Sequence, residues 1–146
     1  MTDHLVATGL RDAGFAYVNL DDCWMSKMRD NVTGQLVAGH QFPHGMAALG
    51  QMIHQKQLKF GLYSDRGFRT CQALPGLLDN EVKDVATMAS WGIDFLKNDG
   101  CYTASPHSEG GLRGDPSAAE LYGRTQRAID AAESGQSVCN HPSSTV

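Results

Sequence analysis

The sequence predicts an α/β fold with a parallel sheet, on the strength of three observations. Short apolar runs alternate with amphipathic stretches along the chain. The apolar runs begin near residues 15, 59, 93 and 136, and these intervals of 34 to 44 residues leave room for a helix after each strand. Each run is followed by charged or polar residues. In a sheet built from strand–helix–strand units, these polar ends are expected to lie along one edge.

Each predicted element has a local basis in the sequence. The predicted strands span residues 15–20, 59–64, 93–98 and 136–139. The predicted helices span residues 5–13, 46–57, 81–91 and 115–133. The first strand is too apolar for a half-exposed strand, so we expect it to be buried. Gly14 and Gly92 suit helix C-termini, and Asp115 followed by Pro116 suits an N-cap and the first helical position.

Composition excludes several classes of function. The chain has 146 residues, 41% hydrophobic and 19% charged, which is enough for a domain with a core. A formal net charge of −4 argues against nucleic-acid and anionic membrane partners. No apolar run reaches the ~20 residues of a membrane span, and no signal peptide is visible. Without a Gly-rich phosphate loop or zinc-type Cys and His spacing, we expect no nucleotide, metal or other cofactor.

Asp21 and Asp22 follow the first predicted strand. Carboxylates at the polar edge of a barrel or of a doubly wound sheet suit sugar hydroxyls, a metal or a helix N-terminus. Adjacent strand residues point to opposite faces, so only one of the two would face into a barrel unless the chain bends there. Acidic pairs also end strands in α/β proteins of every chemistry, which leaves a structural role open.

Lys97 and Asp99 end the third predicted strand and, being two residues apart, share one face. We expect the Lys97 ammonium to lower the pKa of Asp99 and keep it ionised, as a carboxylate nucleophile requires. The structural alternative is an ion pair followed by a turn at Asp99 and Gly100.

Two loop features bear on covalent modification. Cys71 and Cys101 lie in loops after consecutive strands, where a disulfide is sterically possible. Asn31 begins the sequence Asn-Val-Thr, an N-glycosylation sequon, in a predicted loop. The sequon fits passage through a secretory compartment.

Four ordered runs of the sequence resemble the α-galactosidases (melibiases) and α-N-acetylgalactosaminidases of one retaining glycoside hydrolase family. The runs are GLRDAGFAYVNLDDCW (9–24), RDNVTGQLVAGHQFPHGM (29–46), KQLKFGLYSDRGFRTC (56–71) and ASWGIDFLKNDGC (89–101). The resemblance is strongest over residues 5–103 and looser as far as 139. Four motifs in one order make it more specific than any single motif above.

The resemblance implies a (β/α)8 barrel, of which this chain carries about four parallel strands. It implies hydrolysis of terminal α-linked galactose from oligosaccharides, glycolipids or glycoproteins by retaining double displacement. In that reaction Asp99 is the nucleophile, and Cys71 is disulfide-bonded to Cys101. The residues that the resemblance places around the sugar are Asp21, Asp22, Trp24, Tyr63, Lys97, Cys139 and Asn140. In this family a tryptophan usually follows the last pair, whereas His141 and Pro142 stand there in this sequence.

A barrel of this type takes ~250 residues, so residues 1–146 are predicted to form one incomplete barrel domain. We expect the family's first strand, its last three strands and its acid/base carboxylate to be absent, and hence no independent hydrolysis by this chain. The alternative is a non-catalytic galactose-binding remnant or a truncated product. Two copies could pair through open sheet edges. The resemblance also implies a secreted, lysosomal or vacuolar location.

Overall fold

The computed structural model describes residues 2–102 and 117–134. Three parallel strands form one sheet in the order β1-β2-β3. The strands are β1 (Tyr17–Leu20), β2 (Lys59–Asp65) and β3 (Phe95–Asp99). The helices are α1 (Thr2–Ala7), α2 (Gly45–His54), α3 (Glu81–Ser90) and α4 (Ala118–Glu133). The alternation of parallel strands and helices confirms the predicted α/β fold, and the fourth predicted strand, 136–139, lies outside the described residues.

The pairing register sorts the side chains of the sheet onto two faces. Leu20 lies opposite Leu62 on β2, and Leu62 lies opposite Leu96 on β3. Because side chains alternate along a strand, Val18 and Phe60 point the same way as these leucines. All five pack in or against the apolar core, so we call this side of the sheet the helix face.

The core lies between the helix face and helices α2 and α3. Helix α2 contributes Met46 and Ile53, and α3 contributes Met88, each at most 2% exposed. Their helical spacing places these residues on the side of each helix that meets the sheet. Among the helices of residues 2–102 and 117–134, none has both the length and the apolar character needed to cross a membrane.

The other side of the sheet, here called the open face, carries Tyr17 and Phe95. Their rings meet edge to face with centroids 6.2 Å apart, and each residue is 46% exposed. Gly61 lies between them on β2, where a Cβ would come within 2.1 Å of Asn19 Oδ1 and 3.1 Å of Phe95 Cδ1. The missing side chain at Gly61 is what lets its neighbours close over the central strand.

The prediction that the first strand is buried is wrong. Only Val18 of β1 is buried, whereas Tyr17 and Asn19 are exposed. The reason is that helices α2 and α3 cover the helix face alone. Apolar Tyr17 therefore lies on the open face, where the described residues do not cover it.

Ends of α1, α2 and α4 differ from their predictions, and α2 ends at His54 rather than at residue 57. Helix α1 ends at Ala7 rather than at residue 13, because the chain turns at Gly9 into the left-handed region with a φ of 74°. The N-cap of α4 is Ser117 rather than Asp115, and its hydroxyl accepts the amide hydrogen three residues on at 3.2 Å. Gly92, with a φ of 77°, follows α3 as predicted.

A buried ion pair ties the long loop after β1 to the rest of the fold. Arg29 donates from Nη1 to Asp84 Oδ1 at 2.7 Å and from Nη2 to Oδ2 at 2.6 Å. The same guanidinium donates to the carbonyl oxygens of Gly34 and Gly76. Asp84 on α3 is fully buried, and burial raises its pKa while the hydrogen bond and charge of Arg29 oppose that rise. One side chain thus joins two loops and a helix.

We expect Arg29→Met to lower the free energy of unfolding by about 3–5 kcal/mol, because it leaves the Asp84 carboxylate buried without a partner. Denaturant titration followed by circular dichroism measures the change. The matched control is Arg124→Met, which removes exposed pairs with Asp79 and Glu120 and should cost only about 0–1 kcal/mol. Equal losses in the two variants would contradict the role given to Arg29.

Candidate active site

The carboxyl ends of the three strands meet at one edge of the sheet, here called the rim. Asp21 directly follows β1, while β2 and β3 end at Asp65 and Asp99. Asp65 and Asp99 are partners in the pairing register. Parallel pairing therefore brings carboxylates from three separate strands to one side of the molecule.

Cys23 bends the chain just after β1. Its φ of 74° lies in the left-handed region, which is uncommon for a residue other than glycine. Asp22 is held in place there, with Oδ1 accepting the Cys23 amide hydrogen at 2.7 Å and Oδ2 accepting that of Gln72 at 3.0 Å. The bend keeps Asp21 and Asp22 at the rim and sends the next residue, Trp24, into the core.

Trp24 does not line the rim, contrary to the prediction that it contacts a sugar. The residue is 2% exposed, and its indole packs edge to face on Trp91 with ring centroids 5.6 Å apart. Its Nε1 donates to the carbonyl oxygen of Tyr63 at 2.8 Å. Trp24 therefore supports a rim residue from the core side.

Lys97 forms its ion pair with Asp21 rather than with Asp99. Its Nζ lies 2.8 Å from Asp21 Oδ2 and 4.9 Å from the centroid of the Tyr63 ring, over which the ammonium sits. The hydrogen bond from Lys97 lowers the pKa of Asp21, as does the amide hydrogen of Asp22. The same bond raises the pKa of Lys97, and the charges of Asp99 and Asp22 add to that rise. The Lys97 ammonium thus interacts electrostatically with the carboxylates of Asp21, Asp22 and Asp99.

Asp99 is half-buried at the end of β3, with a hydrogen-bond donor at each oxygen. Oδ1 accepts the amide hydrogen of Gly100 at 2.9 Å, and Oδ2 lies 3.3 Å from the Tyr63 hydroxyl and 3.6 Å from Cys71 Sγ. Burial raises the pKa of Tyr63, and the surrounding carboxylates, including Asp99, raise it further. The phenol therefore stays protonated and donates to Asp99, which fixes the direction of the carboxylate.

A disulfide joins Cys71 to Cys101, with Cα atoms 5.1 Å apart, as the resemblance implied. It connects the loops that follow β2 and β3. Beside it Asp65, which is fully buried, accepts the amide hydrogens of Gly67 and Cys101, both at 2.7 Å. Asp65 was not among the predicted site residues. The available signal was its place at the polar end of a predicted strand, two residues after Tyr63.

The rim as a whole suits a polyhydroxylated ligand. Carboxylates, an ammonium and a phenol lie close together there, and backbone hydrogen bonds hold several of these side chains in place. Together they supply the hydrogen-bond donors and acceptors that the hydroxyl groups of a sugar require. Asp65, Cys71, Asp99 and Cys101 also place four metal-ligating atoms within 4.8 Å of one another. With the two sulfurs joined as a disulfide, neither is the thiolate that a metal needs.

Three predicted site residues remain to be placed, namely Asn31, Cys139 and Asn140. Cys139 and Asn140 lie outside the described residues. Asn31 is exposed in the loop after β1, in a turn that the Asp30 carboxylate closes by accepting the amide hydrogens of Val32 and Thr33.

Comparison with known proteins gives a consistent result. The profile of the family described as alpha galactosidase A matches residues 1–139. An alpha-galactosidase of Oryza sativa subsp. japonica is 51% identical over 104 residues, covering 70% of this chain and 25% of that protein. An alpha-N-acetylgalactosaminidase of Gallus gallus is 40% identical over 131 residues, covering 88% of this chain and 31% of that protein. The structure of the Saccharomyces cerevisiae alpha-galactosidase with raffinose aligns with a TM-score of 0.77 at 34% identity, covering 90% of this chain and 28% of that protein.

The parallel strand–helix repeat, with carboxylates at the carboxyl ends of its strands, is part of an α/β barrel of the kind found in the solved relatives that it matches. The chain spans a quarter to a third of the length of the curated relatives described above. With the family profile covering nearly all of its residues, the chain belongs to the alpha galactosidase A, or melibiase, family.

The Asp21–Lys97 pair predicts a measurable titration shift. The pKa of the Asp21 carboxyl should lie below its ordinary 3.8 and rise in Lys97→Met, which removes the donor. Because the folded pKa is depressed, the pair stabilises the fold above pH 3.8, and that contribution disappears as the pH falls through the folded pKa. Carboxyl-carbon NMR titration measures the shift. Lys83→Met, which removes an ammonium that bonds to Asn80 and lies near Asp84, should leave the pKa of Asp21 unchanged.

Proposed function

We propose that the protein carrying this chain hydrolyses terminal α-linked galactose by retaining double displacement, with Asp99 as the nucleophile. The observation that carries the proposal is the Asp99 carboxylate, oriented by Tyr63 and lying beside the Asp21–Lys97 pair, in a chain of the alpha galactosidase A family. Names of relatives alone would not select a nucleophile. The geometry supports Asp99 because a donor holds each of its oxygens at the rim.

In the proposed first step, an Asp99 oxygen attacks the anomeric carbon from the face opposite the leaving group. A bond forms between that oxygen and the anomeric carbon, and the glycosidic C–O bond breaks as its oxygen takes a proton from the acid/base carboxyl and leaves as an alcohol. The Lys97 charge offsets part of the negative charge around Asp99, and the Tyr63 hydroxyl keeps the attacking group from rotating. Water then cleaves the ester and restores the α configuration.

The second carboxyl of a retaining pair must be protonated and lie about 5–5.5 Å from the nucleophile. Asp21 fits poorly, since Lys97 lowers its pKa and keeps it ionised. Asp22 and Asp65 fit poorly too, because each already accepts backbone amide hydrogens at both of its oxygens. We therefore assign the acid/base role to a residue outside the described part of the chain.

The proposed sugar site places Asp21, Asp22 and Lys97 on hydroxyl groups. These side chains combine acceptors and a donor, and the exposure of Asp21 and Lys97 leaves both open to a ligand. Tyr63 acts differently, since its side chain is nearly buried and touches Asp99 through the hydroxyl alone. We assign Cys139 and Asn140 to the sugar's 2-position on the resemblance alone.

The proposal is tested by trapping the glycosyl ester with 5-fluoro-α-galactosyl fluoride. Fluoride leaves without a general acid, so Asp99 can displace it even where the acid/base residue is absent, and the fluorine at C5 slows hydrolysis of the ester. We expect one added glycosyl group per chain, mapped to Asp99 by mass spectrometry of proteolytic peptides. Asp99→Asn should take no label, whereas Asp130→Asn, on the surface of α4, should label like the parent chain.

Label on another carboxylate would contradict the assignment of Asp99. The alternative is a non-catalytic galactose-binding protein. Calorimetry distinguishes it from an enzyme by comparing the binding of raffinose with that of sucrose, which lacks the galactosyl group. Binding of raffinose but not sucrose, with no label on Asp99, would favour that alternative. Label on Asp99 would exclude it.

We also propose that Asn31 carries an N-linked glycan and that the protein passes through a secretory compartment on its way to a secreted, lysosomal or vacuolar location. Asn31 is exposed, Val32 beside it is 92% exposed, and the Cys71–Cys101 disulfide suits an oxidising compartment. The turn presents the sequon without disturbing the core.

Expression of the chain behind a heterologous signal peptide in a eukaryotic host tests the glycan. A glycosidase that removes N-linked glycans should lower the apparent mass of the parent chain. Asn31→Gln and Thr33→Ala should abolish the mass difference, while Thr33→Ser should retain it. A parent chain with no glycan after secretion would overturn the assignment.

A further inference from the structure

The disulfide at the rim lies within a ring of four potential metal ligands, of which the proposed glycosidase chemistry uses Asp99 alone. We propose that reduction of the Cys71–Cys101 disulfide turns this ring into a binding site for a zinc-type divalent ion, with Asp99 and Asp65 completing the ligand set. The inference stands apart from the proposed function, because it needs only the positions of the four side chains.

The distances suit a small, four-coordinate ion. The ligand atoms of Asp65, Cys71, Asp99 and Cys101 all lie within 4.8 Å of one another. Zinc bonds of about 2.3 Å to sulfur and about 2.0–2.2 Å to oxygen put tetrahedral ligands roughly 3.3–3.8 Å apart. The carboxylate oxygens therefore have to approach by about an ångström, while the two sulfurs have to separate from an S–S bond length of about 2 Å to roughly 3.8 Å. Cys71 and Cys101 are exposed and Asp99 is half-buried, so these three can move, while Asp65 is fixed by two backbone amides.

The local charge favours a cation once the disulfide opens. Asp22, Asp65 and Asp99 all lie close enough to Tyr63 for their charges to act on its hydroxyl. The Lys97 ammonium is already hydrogen-bonded to Asp21, and the Arg66 guanidinium beside Gly100 stacks over the Tyr122 ring. Two thiolates would add negative charge at the same place, and a divalent ion that binds thiolate and carboxylate together would neutralise it.

The chemistry is a two-electron reduction followed by ligand exchange. A phosphine reductant breaks the S–S bond and becomes a phosphine oxide by taking up the oxygen of one water, whose two protons end on the sulfurs. The metal then replaces the thiol protons, which pass to the buffer, and two metal–sulfur bonds form. A cellular dithiol would serve as the reductant in the same way, ending as its own disulfide.

Cobalt(II) is the probe, because thiolate ligation gives it a charge-transfer absorption that carboxylates alone do not. The full 146-residue chain is used with Cys23→Ser and Cys139→Ser, so that Cys71 and Cys101 are the remaining cysteines. We expect one cobalt per chain after reduction with a phosphine, none before it, and displacement by zinc. Asp99→Asn should weaken binding by about tenfold or more, since even supporting groups of a metal site cost that much.

Controls separate this site from incidental thiol binding. The double variant Cys71→Ser with Cys101→Ser should abolish the charge-transfer band, and His54→Gln, which removes the exposed His54–Asp94 pair elsewhere on the surface, should leave it unchanged. Far-UV circular dichroism follows the fold throughout. The proposal is overturned by an absent band after reduction, by equal binding before reduction, by affinity that ignores Asp99→Asn, or by loss of the sheet on reduction. None of these readouts depends on galactose, so failure here leaves the proposed function intact.

Discussion

Every part of the rim depends on the parallel pairing of β2 with a strand on each side. From Phe60 to Asp65 each residue of β2 is buried, and its backbone hydrogen bonds hold β1 and β3 in a common direction. Parallel strands present their carboxyl ends together, so the pairing brings Asp21, Asp65 and Asp99 to one edge of the sheet. If one neighbour ran antiparallel, its acidic residue would lie at the opposite edge.

Backbone groups do most of the positioning around this edge. Asp22 and Asp65 are each fixed by two amide hydrogens, and those amides belong to loops that Arg29 and the disulfide hold in turn. Polar side chains ending apolar strands would otherwise carry a desolvation cost. The loops offset that cost and, in doing so, determine where the carboxylates point.

The sequence predicted the strands, the alternation and the rim because each leaves a local pattern. Apolar runs of the right length mark β2 and β3, and polar residues mark their ends. The partner of Lys97 leaves no such pattern, since the ammonium crosses β2 above Tyr63 to reach a carboxylate 76 positions away in sequence. The burial of Trp24 leaves no local pattern either. It follows from the left-handed backbone conformation of Cys23, a position without the glycine or asparagine that usually indicates such a conformation. The capping residue of α4 was missed by two positions, as Ser117 and Asp115 are both good caps.

The bend at Cys23 has a consequence for how such a protein can change over time. One backbone conformation assigns nearby residues to separate tasks, with the Asp21 carboxylate exposed at the rim and the Trp24 indole completing the core. Substitutions at Asp21 can alter which ligand is recognised without changing the packing of the core. Substitutions at Trp24 change the packing of the core and leave the rim carboxylates in place. Ligand affinity and fold stability can therefore be selected independently within a segment of four residues, Asp21 to Trp24.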